Sequence, residues 1–218
     1  MTYPLTICNG YAVVNIDGNK YMLDTGSPVS MSTQMGLRSV SINGLSCPLT
    51  YNPIGEQLRL ATGFNLVGLL GTDVIGRFGG ILCDKVQNTA TFGEVSRKDG
   101  IVVPFEKRGD YHFHARVNGR NVLGYLDVGA PRPMIDDHSL LDLSRDEGDT
   151  DEPSMRGTIH TRQFGGEIEF GGVTRTVHML RSVRDMNRDG ISQVYFGLAA
   201  FAEEYFAIDV RSQTIRFR

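Results

Sequence analysis

The chain has 218 residues, a formal net charge of −3 and a pI near 5.9. That balance gives no electrostatic case for nucleic acid, whose binders carry a basic patch or stripe, while 40% hydrophobic residues supply a packed core and argue against disorder. No apolar run approaches the roughly 18 residues of a membrane-spanning helix, and Met1-Thr2-Tyr3-Pro4 lacks a basic patch followed by an apolar core, so a cytoplasmic protein with no membrane partner is expected.

Along the chain, β-type segments come first. Ile16, the turn signal Asp17-Gly18 and Asn19-Lys20-Tyr21-Met22-Leu23 read as a hairpin ending at Asp24-Thr25-Gly26-Ser27-Pro28. Further on, Leu69-Leu70-Gly71 precedes a short helical piece at 73–78. Ile81-Leu82-Cys83-Asp84 and Thr89-Ala90-Thr91-Phe92 then form a hairpin about a polar turn. The stretch 93–109 is polar, with a strand near Ile101-Val102-Val103, and divides the chain.

The second half repeats this order. Val117, Asn118-Gly119 and the strand to Leu126 lead to Asp127-Val128-Gly129-Ala130-Pro131. Tyr195-Phe196-Gly197 precedes a helical piece at 198–204, and Phe206-Ala207-Ile208-Asp209 returns as Thr214-Ile215-Arg216-Phe217. Asp84 to Phe92 and Asp209 to Phe217 keep the same spacing. Two matching blocks in one order mark an internal duplication. Three cysteines, Cys8, Cys47 and Cys83, are odd in number and fit neither a zinc pattern nor a disulfide framework, so buried reduced thiols are expected.

Leu-Asp-Thr-Gly-Ser after a hairpin, followed by an apolar-apolar-Gly triplet before a short helix and repeated once, resembles the aspartic peptidases of the pepsin and retropepsin fold. The resemblance covers essentially the whole chain. It implies a mainly β protein of two homologous acid-protease-type β-barrel lobes related by a pseudo-twofold axis, with one short helix per lobe. The lobes would be 1–100 with the Asp24 loop and 101–218 with the Asp127 loop, and the chain ends 1–7 and 214–218 would meet in an interlobe sheet. Asp24 and Asp127 would form a carboxylate pair that shares one proton, because two such groups side by side cannot easily both ionise. Gly26 and Gly129 would turn the backbone tightly beside them and offer N–H groups to the carboxylates.

By the same resemblance the Thr25 hydroxyl locks the two loops together, whereas Val128 offers no hydroxyl for the reciprocal bond. Ser27 is expected to donate toward Asp24, making it the readier to ionise, while Ala130 cannot do this for Asp127. The interval from Asp127 to Gly197 is longer than that from Asp24 to Gly71, which predicts a full flap over the substrate at 153–164 in the second lobe, with Thr161 and Phe164 toward substrate, and a reduced flap in the first. The implied activity is endopeptidase action on a peptide or protein substrate by a monomer, without cofactor or metal. A catalytically degenerate peptide-binding or scaffolding module, and more remotely a glycosidase using paired carboxylates, remain alternatives.

Other signals carry less. The acidic stretch 142–152 reads as a solvated loop. Asp185-Met186-Asn187-Arg188-Asp189-Gly190 imitates the start of a calcium loop but has Phe196 where a Glu is required. His112 and His114 share a strand face, and no third metal ligand is apparent beside them.

Overall fold

Asn-Gly and Asp-Gly pairs set the first three strands. Strand β1 (Thr2–Cys8) turns at Asn9-Gly10 into β2 (Tyr11–Ile16), which turns at Asp17-Gly18 into β3 (Asn19–Leu23). All four turn residues have positive φ, between 51° and 82°, the two-residue turn whose twist suits a right-twisted hairpin. The computed structural model describes residues 1–93, 95–108, 110–154, 157–183, 194–199 and 201–218.

After β3 come β4 (Met31–Ser32), the short hairpin β5 (Ser39–Ile42) and β6 (Leu45–Pro48), and then β7 (Thr50–Tyr51), α1 (Gly55–Thr62), β8 (Gly68–Leu70) and α2 (Thr72–Phe78). β8 lies parallel to β3 and antiparallel to β4, and β4 lies parallel to β7. The hairpin β9 (Gly80–Asp84) and β10 (Thr89–Phe92) completes this half.

The second half runs through β11 (Ile101–Pro104), β12 (Glu106–Arg108), β13 (Asp110–Val117), β14 (Arg120–Leu126) and β15 (Met134–Ile135). Two single 3-10 turns follow, and then β16 (Asp146–Ser154), β17 (Gly157–Phe170), β18 (Val173–Arg181), β19 (Val194–Phe196), β20 (Tyr205–Asp209) and β21 (Thr214–Phe217). Its pairings repeat the first: β19 is parallel to β14 and antiparallel to β15, and β15 is parallel to β18. Details repeat too. Asn118-Gly119 has the same positive-φ turn as Asp17-Gly18, and Asn88 and Gln213, each four positions past the hairpin aspartate, both have φ of 53°.

The halves are sewn together by one sheet. Its strands run β11-β21-β20-β9-β10-β1, and the seam is the antiparallel pair β9–β20, with Leu82 opposite Ala207. The two chain ends therefore share this sheet without pairing with each other. The core is continuous across the seam, from Val14, Leu23 and Leu70 to Phe113, Phe196 and Phe217. Phe113, Phe170 and Phe196 meet edge-on at 4.7–5.3 Å between centroids, the geometry that sets ring edge against ring face.

Three expectations change. Among the described residues, the helix expected at 198–204 is a single turn, in which the Phe201 and Ala202 N–H groups bond to the Leu198 carbonyl. The N–H groups of Glu203 and Glu204, which would have extended it, donate to the Arg218 carbonyl instead, at 2.8 and 2.7 Å. The acidic stretch is not a loop beyond residue 145: Asp146 onward is strand, because β17 brings Arg162 to Asp146 and His160 to Asp151. The hairpin expected at 153–164 is accordingly longer, with all of β16 paired to β17 from Gly157 to Phe164, while its counterpart β5–β6 is short. The calcium-like segment 185–190 lies outside the described residues. His112 is buried edge-on against Tyr125, whereas His114 is exposed.

Candidate active site

The site is built where two strands end. Leu23 and Leu126 close β3 and β14, opposite Leu70 and Phe196 on their parallel partners. The next N–H groups donate in the same way: Asp24 to the Leu70 carbonyl and Asp127 to the Phe196 carbonyl, each at 3.0 Å. The triplet glycines are needed because the loop folds back on them. A Cβ on Gly71 would lie 2.5 Å from the Ser27 carbonyl oxygen, and one on Gly197 would lie 2.7 Å from the carbonyl oxygens of both Asp127 and Ala130. An apolar-apolar-Gly sequence thus supplies a buried strand end and a seat for the loop.

The two loops face each other, and their carboxyl groups are joined by a side-chain hydrogen bond. A Cβ on Gly26 would stand 2.6 Å from Asp127 Oδ2, and one on Gly129 would stand 2.7 Å from Asp24 Cγ. Each glycine lets its loop approach the opposite carboxyl group. Each also serves its own: Gly26 N–H donates to Asp24 Oδ1 at 2.8 Å, and Gly129 N–H to Asp127 Oδ1 at 2.9 Å. Asp24 is 3% exposed, while Asp127 is partly open to solvent. Burial, and after it the neighbouring Asp127, push the Asp24 carboxyl well above the usual carboxylate range, against the opposing pull of the Gly26 and Ser27 N–H groups.

The expectation that Asp24 is the readier to ionise loses its basis. That expectation rested on the Ser27 hydroxyl, which instead donates to the Val29 carbonyl at 2.7 Å. The Ser27 contribution to Asp24 is its backbone N–H. Thr25 is placed as the lock: its hydroxyl donates to the Leu126 carbonyl at 2.6 Å and accepts from the Val128 N–H at 3.0 Å. Val128 contributes no side-chain bond in return, but Tyr125, a residue passed over in the sequence, donates its hydroxyl to the Thr25 carbonyl at 3.1 Å. Its only sequence signal is a phenol two positions before Asp127, where the first half has Met22. Ala130 is buried, with its N–H on the Asp127 carbonyl at 2.9 Å.

The hairpin β16–β17 brings other residues than those expected. Phe164 is 2% exposed and belongs to the core, and the Thr161 hydroxyl donates to the Arg181 carbonyl. Thr161 also lines a cavity of about 680 Å³ with His138, Asp151, His160 and Arg181, which includes neither Asp24 nor Asp127. Arg132, five positions after Asp127, bonds instead to two residues of the hairpin, Glu152 and Gln163. The buried Tyr11 hydroxyl is held above its ordinary pKa by burial, then by Glu152 and Asp127, with Arg132 opposing and Asp24 adding to the rise. These five polar groups therefore share one neighbourhood.

No protein-family model and no curated protein matches the chain. Among solved structures, the aspartic proteinase from Irpex lacteus aligns over 99% of this chain and 96% of its own, at TM-score 0.54 and 11% identity. A retropepsin-like aspartic protease from Rickettsia conorii aligns over 55% of this chain and 89% of its own, at TM-score 0.41 and 13% identity. The simian foamy virus (mac) protease aligns over 41% of this chain and 89% of its own, at TM-score 0.32 and 13% identity. The first likeness, nearly complete for both chains, shows that this chain has the two-lobed aspartic peptidase fold.

Proposed function

We propose that the chain is an aspartic endopeptidase whose catalytic residues are Asp24 and Asp127. The observation that carries the reading is the contact of two carboxyl groups at the ends of matching loops, one of them buried. A buried carboxyl beside another holds a proton, so Asp24 is the acid and the more open Asp127 the base. Asp127 takes a proton from a water held between them as that water attacks the scissile carbonyl carbon. Asp24 gives its proton to the carbonyl oxygen. The proton on Asp127 then passes to the amide nitrogen, the C–N bond breaks, and Asp24 recovers its proton as the diol collapses to the acid. The proton belongs to the pair, and the assignment describes its resting state.

The substrate is an extended peptide lying between lobes 1–100 and 101–218, under the β16–β17 hairpin, and a monomer suffices. A hydrogen-bonded carboxyl pair leaves no space for the sugar ring that glycosidase carboxylates flank at roughly 5–9 Å. The test is digestion of a diverse peptide library by the wild-type chain, D24N and D127N from acidic to neutral pH, read by mass spectrometry. Each variant should lose at least about a hundredfold in cleavage rate. Wild-type cleavage should decline as pH rises through the raised pKa of Asp24. Absence of cleavage by the wild-type chain, together with peptide binding that D24N preserves, would favour a degenerate binding module.

A further inference from the structure

We infer that Arg132 is a positioning residue that clips the β16–β17 hairpin onto the Asp127 loop and so holds the lid over the carboxyl pair. As a device of hydrolysis it rests on the peptidase reading; as a clip it stands on contacts alone. Arg132 lies between Pro131 and Pro133, whose fixed φ angles stiffen the backbone that carries it. Pro131 is itself seated on the β1–β2 turn, so closely that a Cβ on Gly10 would come within 2.6 Å of its ring. The guanidinium thus projects from an anchored base.

Its planar fork reaches both strands of the hairpin. One terminal nitrogen pairs with Glu152 on β16 and the other donates to Gln163 Oε1 on β17 at 2.5 Å. The Gln163 amide nitrogen donates to Glu147 Oε2 at 2.6 Å, which fixes its carbonyl end toward Arg132. Glu152 differs from the other acidic residues of β16. It is 6% exposed, whereas Asp149 and Asp151 lie at the surface. It sits two positions from Ser154, the last residue of β16, so the ion pair acts at the end of β16 far from Asp146, where a clip has most leverage. Lys could not replace the fork, because a single ammonium does not present two parallel donors in fixed geometry. On this inference the two bonds part to admit a substrate and re-form as the hairpin closes.

The test compares wild type, R132M, R132K, E152Q and the double variant R132M/E152Q as full chains. Hydrogen exchange reads the hairpin directly, and hydrolysis of fluorescein-labelled casein reads its consequence. In R132M and E152Q, amides of β16 and β17 near Glu152 and Gln163 should exchange at least about tenfold faster, while those of β9 and β20 keep wild-type protection. R132K should fall between. The double variant should be no more exposed than the worse single one, because the Arg132–Glu152 pair is broken in both. Casein hydrolysis should lose about tenfold in kcat with little change in KM, since closure follows binding. E152Q exchanges one side-chain atom group at a hairpin end, so it reports on the clip even if R132M fails to fold. Unchanged hairpin exchange in E152Q, or single effects that add in the double variant, would overturn the inference. If the wild-type chain leaves casein intact, the peptidase reading fails while the exchange data still decide the clip.

Discussion

Thr25 joins the two loops with one hydroxyl that both donates and accepts across the interface, and all three of its polar partners are buried. Val is nearly its isostere, so T25V removes the bonds while keeping the shape. It leaves the Val128 N–H and the Leu126 carbonyl without that partner, and an unsatisfied buried group costs about 1–3 kcal/mol. T25V should therefore lower stability by about 2 kcal/mol in urea unfolding and lower cleavage as well, since the carboxyl pair depends on how the loops meet. Unchanged stability would mean that the Tyr125 bond alone holds the loops. At this scale the family resemblance pointed to the carboxyls, the glycines and Thr25, and of these only the glycines are dictated by backbone geometry. It was misleading about Ser27 and silent about Tyr125, because a hydroxyl on a rotatable side chain takes whichever acceptor the packed neighbourhood presents.

Elements show a different division. Strands with a buried face and an Asn-Gly or Asp-Gly turn were legible, because pattern and turn chemistry agree there. The acidic strand β16 was not, because its charges are accommodated by Arg162, His160 and Arg132, residues that only the hairpin register brings near. The turn at 198–202 failed for the opposite reason: a helix-favouring run lost its backbone donors to the Arg218 carbonyl, a tertiary partner no local propensity can report. The loop seat was legible as a motif, and its strictness can be tested. G197A sets a methyl 2.7 Å from two backbone oxygens, neither of which belongs to a side chain that could swing away. Overpacking of this kind costs about 1–3 kcal/mol. Displacing the Asp127 loop by an ångström can cost a hundredfold in rate. G197A should thus be impaired in cleavage beyond its loss of stability, measured by kcat at a temperature where the variant is still folded. Wild-type kcat in a destabilised G197A would show that the loop yields without moving its carboxyl.

The whole molecule depends on contacts that the likeness of its two halves does not by itself imply. Each half contributes a hairpin to the shared sheet, and β9 meets β20 at the seam. Beside that seam Lys85, from the first half, donates its ammonium to the carbonyls of Ala199 and Ala202 at 3.0 and 2.6 Å, in the turn that follows Gly197. Its backbone N–H also reaches the Glu204 carbonyl at 2.8 Å. The half-buried ammonium is held below the usual lysine pKa by desolvation, yet its two carbonyl partners make it a staple between the first half and the base of the Asp127 site. K85M keeps the stem and removes both bonds. Hydrogen bonds to a charged group contribute about 1.5–3 kcal/mol, and some of that is regained by no longer burying the charge, so a loss of about 2 kcal/mol is expected. Because the core runs unbroken through both halves, the loss should appear as a lower midpoint in one cooperative unfolding transition with an unchanged denaturant slope. A transition that splits in two, with only the second-half step displaced, would show that the halves fold independently and that the seam merely docks them.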